Sequence, residues 1–491
     1  LNTPKNIIYW FILMLCIAFL PLACKPKSAL IEKIPVQALP GMDLVGRVTI
    51  NQKPASGVVV SDGYSVVSTD KNGVYQMKAN ENARFVFTSI PASAKIPMKN
   101  GLPEIYKPIY KNKQVARQDF HLEAATKFSK FHLLALADVQ IANNTDLSLL
   151  KADIEKIREH TLALKDSGEV IGISLGDLVW DNMSYFPNYA EEIKKLKIPV
   201  FQVIGNHDHD LTESDDRKAI RHFENNFGPA YYSFNFGSNH FVVLDNVLYK
   251  GNKKYTGEIT EAQLNWLKND LEYVNKDQQI IVALHIPTSK RFSSFVSPNS
   301  QKLYSLLEGY KVKILSGHTH YNVVTTVNKN IQEYTIGAVC GAFWTGDICS
   351  DGSPRGFTVF KLKDNEVVNK YYKGTNHEKA YQIKVYEPGK AVSTGLKNDV
   401  IMNVFGWHTN WTVSVSEDNQ TPVVLKNITE KDPDAFNTMN GKSLPVYRPF
   451  VEPHAKNDHM FHYRPSANWQ QISVQAADPY GNIYKSVLKK K

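Results

Sequence analysis

Residues 199–210 read PVFQVIGNHDHD. A short apolar run of the kind that forms a buried strand gives way at Gly205 to Asn206, His207 and Asp208, side chains that bind metals or move protons. The same pattern recurs on both sides of this stretch. FHLLALA (131–137) runs into Asp138-Val139-Gln140, and VIGISL (170–175) runs into Gly176-Asp177. Further on, IIVAL (280–284) runs into His285, and VKILS (312–316) into Gly317-His318-Thr319-His320. Ligand-type side chains placed repeatedly where a buried strand ends describe a metal site at the carboxyl edge of an α/β sheet.

Helix signals fall between these strands. Asp146 is a candidate cap for a helix carrying Leu150, Ile154, Ile157 and Leu164 on one face. Thr260-Glu261-Ala262-Gln263 reads as a capping box opening a second helix with Leu264, Leu267 and Leu271. Alternation of this kind over residues 125–375 predicts a layered α/β sandwich. The flanks have a different texture. Residues 41–124 carry short strands broken by Gly, Asn and Asp turns, which predicts a small β-sandwich. The stretch GRVTINQKPASGVVVSDG within them resembles the transthyretin-like or carboxypeptidase-regulatory-like repeat. Residues 376–491 return to β texture, with strands expected over 381–386, 399–404, 411–415 and 469–474. Residues 428–468 between them are polar and turn-rich. The fold class is therefore α/β, with two small β domains around the central one. A chain of 491 residues is long enough for roughly two to four domains.

Two divalent cations that share a carboxylate can clamp a phosphate, generate hydroxide and neutralise a leaving oxygen, with the paired ions roughly 3.5–4 Å apart. Such a pair needs hard oxygen donors, imidazoles and one bridging carboxylate. Asp138, Gln140, Asp177, Asn206, His285, His318 and His320 supply enough donors for two sites if Asp177 bridges. His207 points elsewhere if Asn206 points at a metal, and it is placed to protonate a leaving group or to hold a phosphate.

The series DVQ, GDLVWD, GNHD, a lone histidine and GHTH resembles the calcineurin-like metallophosphoesterases over roughly residues 130–360. The resemblance implies that Asp138, Gln140, Asp177 and His320 hold one metal and that Asp177, Asn206, His285 and His318 hold the second. It implies His207 as general acid, and hydrolysis of a phosphomonoester or phosphodiester by a metal-bridging hydroxide. Mn, Fe, Zn and Mg all remain candidates. Most of the family has histidine where this chain has Gln140, whose neutral amide oxygen is a harder and weaker ligand for a transition metal than imidazole. One exported subgroup carries glutamine there, with a β domain before and after the catalytic one; FGPAYYSFNFG (227–237) and GAVCGAFWTGD (337–347) fit its texture. The family often orients its general-acid histidine with an acid three residues after the bridging aspartate. Here Trp180 fills that offset, so Asp181, one place later, is either the orienting acid or a surface carboxylate. Arg355 and Trp344 lie in the Gly-rich stretch after the last ligand segment. They suit a phosphate oxygen and a substrate, or a loop that packs against the third domain.

The amino terminus reads as an export signal. An apolar run over 7–22 closes on Leu22-Ala23-Cys24, which predicts lipoprotein processing with Cys24 lipidated and residues 25–40 as a linker. Pro21 departs from the usual leucine at that offset. The basic residues after Cys24 favour a periplasm-facing membrane. Cys340 and Cys349 can staple a loop in an oxidising compartment or remain unpaired. The net charge is +9 and the pI about 9.0, but the charge is diffuse, and no basic helix with interleaved aromatics is present. A nucleic-acid partner is therefore not expected. Three rivals stand beside the phosphoesterase reading. One is a catalytically weak, lipid-anchored binding protein with a structural metal site. The others are a nuclease and a hydrolase of non-phosphate esters at the same centre.

Overall fold

The computed structural model describes residues 35–111, 114–289, 291 and 296–490. The export signal with Cys24, and the 25–34 part of the linker, lie outside the described residues.

Two mixed sheets form the centre of the molecule. In the first, Val200–Val203, Glu169–Leu175 and Lys130–Leu136 run parallel, and Gly356–Lys363 and Glu366–Gly374 close it antiparallel. In the second, Asn239–Val243, Gln279–Ala283, Lys311–Ser316 and Ile331–Thr335 run parallel between the antiparallel edges Tyr232–Phe236 and Val323–Thr326. Parallel strands buried on both faces need apolar residues at every position, and Lys130–Leu136 is fully buried after its first residue. Its alternate side chains serve different layers. Leu133 and Ala135 share a core with the second sheet. Leu134 and Leu136 pack with Leu150, Ile154 and Ile157 of the helix Asn144–Lys165. The layered α/β expectation therefore holds.

The helix begins differently from the expectation. Asn143, not Asp146, is the cap, and its side chain accepts the Thr145 and Asp146 amides. Asp146 sits inside the first turn, where its carboxylate accepts the Ala142 amide and grips Arg448 of the distant C-terminal region. Thr260 does cap Glu261–Asp270. Gln263 does not close the box, because its amide is committed to the Asp245 backbone.

At the amino side, Leu44–Ile50 pairs parallel with Ala116–Arg117 and Phe120–Leu122, and antiparallel with Val74–Met77. A second small sheet runs Val66–Ser68, Val59–Ser61, Phe85–Ser89, Tyr106–Pro108. The apolar core continues from these strands into the second central sheet. Trp266 marks the junction: its indole N–H donates to Ser61 and its ring meets Phe87 edge-on. At the carboxyl side, two four-stranded sheets enclose a separate core of Val400, Met402, Val413, Val415, Ile472 and Val474. The turn-rich 428–468 stretch also contains the helix Pro433–Met439, capped by Asp432, and the strand Met460–Tyr463. Asn403 pins this region to the centre by donating to the Asp351 carbonyl and the Asp432 carboxylate.

Candidate metal centre

Five strand ends deliver the ligand-type residues to one place, and five of those residues have left-handed backbone. Asp138 (φ 51°), Gln140 (49°), Asp177 (52°), His318 (72°) and His320 (56°) occupy the region that favours glycine. Each non-glycine residue there costs on the order of 1–2 kcal/mol. The loops are held by buried hydrogen bonds that offset this strain. Both Asp138 oxygens accept the His318 amide, at 3.1 and 2.9 Å. Asp177 Oδ1 accepts the His207 amide at 2.9 Å. Asp208 ties two loops together by accepting the Leu178, Val179 and Gly205 amides. The glycines of GNHD and GHTH are required by close approach. A Cβ on Gly205 would lie 2.1 Å from the Asp177 nitrogen, and one on Gly317 would lie 2.7 Å from Asp138 Oδ2.

Two of the imidazoles have their outer nitrogens occupied. Nδ1 of His285 lies 2.7 Å from the Leu175 carbonyl, and Nδ1 of His320 lies 2.6 Å from the Gly341 carbonyl. An Nδ1–H fixed on a carbonyl turns the Nε2 lone pair inward, the usual second-layer support of a metal-binding histidine. His285 Nε2 then lies 3.0 Å from Asn206 Oδ1, 3.3 Å from Asp177 Oδ1 and 3.2 Å from His318 Nδ1. One donor atom each from Asp177, His285 and His318 falls within 4.8 Å of the others. His320 Nε2 is buried with no hydrogen-bond partner, 3.5 Å from Asp138 Oδ1. An orphaned imidazole nitrogen facing a carboxylate, and two ring nitrogens facing one another, are what cation-binding sites present. The donor set fits a pair of divalent cations.

Electrostatics point the same way. Burial works against charge on Asp177, but the His285 and His207 imidazoles outweigh it and hold the carboxyl well below its usual range. Burial depresses His285, but the Asp177 carboxylate lifts it to about 9. Burial, then His285, push His318 down to about 3. A cation held by this cluster would take the place of the His285 proton. Gln140 presents its amide nitrogen to Asp177 Oδ2 at 2.9 Å. Only the amide oxygen can ligate, so ligation by Gln140 requires the group turned end for end.

His207 lies at the rim, with a quarter of its side chain exposed. Its Nδ1 is 2.7 Å from Asp181 Oδ1. Burial lowers its proton affinity, but the Asp177 and Asp181 carboxylates prevail and raise it above the ordinary histidine value.

Two expected substrate residues are elsewhere. Arg355 is a correction: its guanidinium is buried in an ion pair with Asp153, 2.9 Å away, and reaches Asp347 at 3.2 Å. A guanidinium neutralised by two carboxylates has no charge left over for a phosphate. Trp344 is also a correction. It is 2% exposed, and its indole N–H donates to the Gln140 carbonyl at 3.2 Å. Tyr185 bonds Asn144, and Phe186 is buried in the helical layer. Cys340 and Cys349 are both free and buried. His209 lies under the site with Nδ1 on the Gly205 carbonyl.

Sequence reasoning missed Trp180, Phe450, Arg448 and Asn246 at or around the site. Asn246 Oδ1 accepts the His285 and Ile286 amides and fixes that strand end. An unexplained tryptophan inside the GDLVWD segment was the one available signal.

Three family models match successive parts of the chain. The calcineurin-like phosphoesterase model matches residues 131–322. The models for the N-terminal and C-terminal parts of calcineurin-like phosphoesterase match residues 42–125 and 333–484. The chain is 25% identical over 204 residues to the serine/threonine-protein phosphatase CPPED1 of Homo sapiens, covering 37% of this chain and 60% of that protein. It is 25% identical over 214 residues to purple acid phosphatase 13 of Arabidopsis thaliana, covering 41% of this chain and 36% of that one. Each match therefore spans less than two thirds of the relative's length. Among solved structures, a dimetal phosphatase from Danio rerio superposes with a TM-score of 0.38 at 16% identity, over 50% of this chain and 96% of that chain.

Proposed function

We propose, from the premise that the chain belongs to the calcineurin-like phosphoesterase family, that it is a metal-dependent hydrolase of phosphoesters. The observation that carries this is the convergence of Asp177, His285 and His318 donor atoms within 4.8 Å, beside the orphaned Nε2 of His320. Asp138, Gln140, Asp177 and His320 would hold one cation, and Asp177, Asn206, His285 and His318 the other. A bound pair supplies Lewis acidity to the phosphoryl oxygens and a nucleophilic water at neutral pH. The chain's own residues do the rest. Asp177 keeps its negative charge between the two ligand groups. Asp181 orients the His207 ring and favours its protonated form. As the ester P–O bond breaks, the proton passes from His207 Nε2 to the departing oxygen.

The site of action in this reading is the cell envelope, facing the periplasm, with a lipid on Cys24 as the membrane attachment and no nucleic-acid partner. The domain limits proposed are 41–124, 125–375 and 376–491.

One observation favours a second reading, a weakly catalytic binding protein with a structural metal. Gln140, a weaker donor than imidazole, stands where most of the family has histidine. One experiment separates the two. The form lacking residues 1–24 is reconstituted with Mn, Fe, Zn or Mg and assayed on an aryl phosphate, an aryl phosphodiester, and phosphorylated envelope and nucleotide compounds. Hydrolysis abolished by Asn206→Ala and His285→Ala, with the circular dichroism spectrum retained, supports the hydrolase. An unchanged rate in those variants, or in excess chelator, contradicts it.

A further inference from the structure

A run of aromatic rings leads outward from the candidate centre. Phe343 stacks on His320, with centroids 4.2 Å apart and planes at 19°. Trp180 meets His207 edge-on at 5.9 Å. Trp180 and Phe343 touch at 5.3 Å, and both meet Phe450 edge-on, at 5.5 and 5.1 Å. Phe450 comes from the C-terminal region and is 53% exposed. Two residues before it, Arg448 lays its guanidinium over the Trp180 ring at 4.8 Å. The arginine is held there by the buried carboxylate of Asp146, 3.2 Å away.

Phe343 also packs against the small apolar cluster of Ala342, Ile348, Met439 and Val451, but core packing does not account for Phe450. A core ring is covered, whereas the outermost ring here is half in water and braced by two others. Aromatic surface at the mouth of a polar centre is the usual lining of a small-molecule site. Its position narrows what it binds. His207 carries the proton for the departing oxygen, so the departing group lies on the His207 side, where Trp180 stands. The wall consists of π faces and a guanidinium, surfaces that hold flat, electron-rich rings by stacking and by cation–π attraction.

We infer that Trp180, Phe343 and Phe450 receive the leaving group of the substrate, and that this group is an alcohol carrying a flat aromatic ring. The inference rests on the hydrolase reading above. Arg448, paired with Asp146, fixes the Trp180 ring. The C-terminal region thereby sets specificity at a centre whose ligands lie in the central domain.

The test is calorimetric titration of the manganese-loaded protein with phenylphosphonate, methylphosphonate and hexylphosphonate. The phenyl compound is expected to bind about tenfold more tightly than the methyl one, the scale of one aromatic contact. That ratio collapses toward unity in Phe450→Ala and is retained in Phe450→Trp. Phe450→Leu, which keeps apolar area and removes the ring, loses most of it. A ratio unchanged in Phe450→Ala overturns the inference. So does a hexyl preference equal to the phenyl one that survives Phe450→Leu, since that describes an aliphatic site. Hydrolysis assays keep the two readings apart. A phenyl preference that depends on Phe450, without turnover of any phosphoester, defeats the hydrolase reading and leaves the aromatic site standing. Turnover of p-nitrophenyl phosphate with no role for Phe450 defeats the aromatic site alone.

Discussion

His207 Nδ1 lies 2.7 Å from Asp181 Oδ1, and the contact depends on a left-handed kink at Asp181 (φ 55°). The Asp181 amide donates to the His207 carbonyl, so backbone and side chain hold the same pair. Asp181→Asn keeps the shape and removes the charge that helps raise the His207 proton affinity. The expected outcome is a kcat about tenfold lower, with the alkaline limb of the pH–rate profile moved to lower pH, because the imidazolium deprotonates sooner. A profile that keeps its alkaline limb in place would show that Asp181 does not act through His207.

In the proposed centre Gln140 would be the weak member of the first ligand group. Gln140→His replaces an amide by an imidazole and is expected to tighten the more weakly held cation about tenfold, read by competition against a chelator of known affinity. Unchanged metal content and activity would mean that residue 140 is not a ligand.

Trp344 and Arg355 support the first ligand segment from below. Trp344 bonds the Gln140 carbonyl, and the Arg355 guanidinium lies 5.3 Å from the Trp344 ring centre. Trp344→Phe leaves a buried carbonyl without a donor and is expected to cost about 1–3 kcal/mol of stability, with weaker metal binding. Arg355→Met strands the Asp153 carboxylate in the interior and is expected to cost about 3–5 kcal/mol. Urea unfolding measures both. A loss of substrate affinity at full stability in Arg355→Met would return that arginine to the substrate.

Two histidines away from the centre set an acid limit on stability. Burial, with Lys361 beside His132 and Lys373 beside His160, pushes each down to about 4. Their neutral rings contact Ser167 and Tyr371, each at 2.8 Å. The unfolded chain takes up these protons first, near pH 6.5, so stability is lost as pH falls from there toward 4. The urea midpoint is expected to fall across this window in the parent protein and to fall less steeply in His132→Gln/His160→Gln. Parallel curves would contradict the assignment.

The strand ends and the candidate ligand residues after them were legible because both signals are local: an apolar run, then a metal-binding side chain soon after it. Direction was not. Phe343 and Trp344 are neighbours with φ of 54° and 64°, yet one faces His320 and the other enters the core. A string of letters carries no sign of that reversal, so Trp344 was read as a substrate contact or as part of a loop packed against the third domain. Arg355 follows the ligand loop in sequence, but Asp153, which neutralises it, is 202 residues earlier. Phe450 and Arg448 reach the rim from a turn-rich stretch with no periodicity to place it. The Asn143 cap was overlooked for a similar reason, since Asp146 has the residue type of a cap and a different task.

Everything rests on one carboxylate serving both ligand groups. Metal content per chain, measured by elemental analysis after reconstitution and desalting, tests this in Asp177→Asn beside Asn206→Ala. The parent protein is expected to retain a pair of cations, Asn206→Ala to lose one of them, and Asp177→Asn to lose both while remaining folded. Retention of the full pair by folded Asp177→Asn would contradict the shared-aspartate centre.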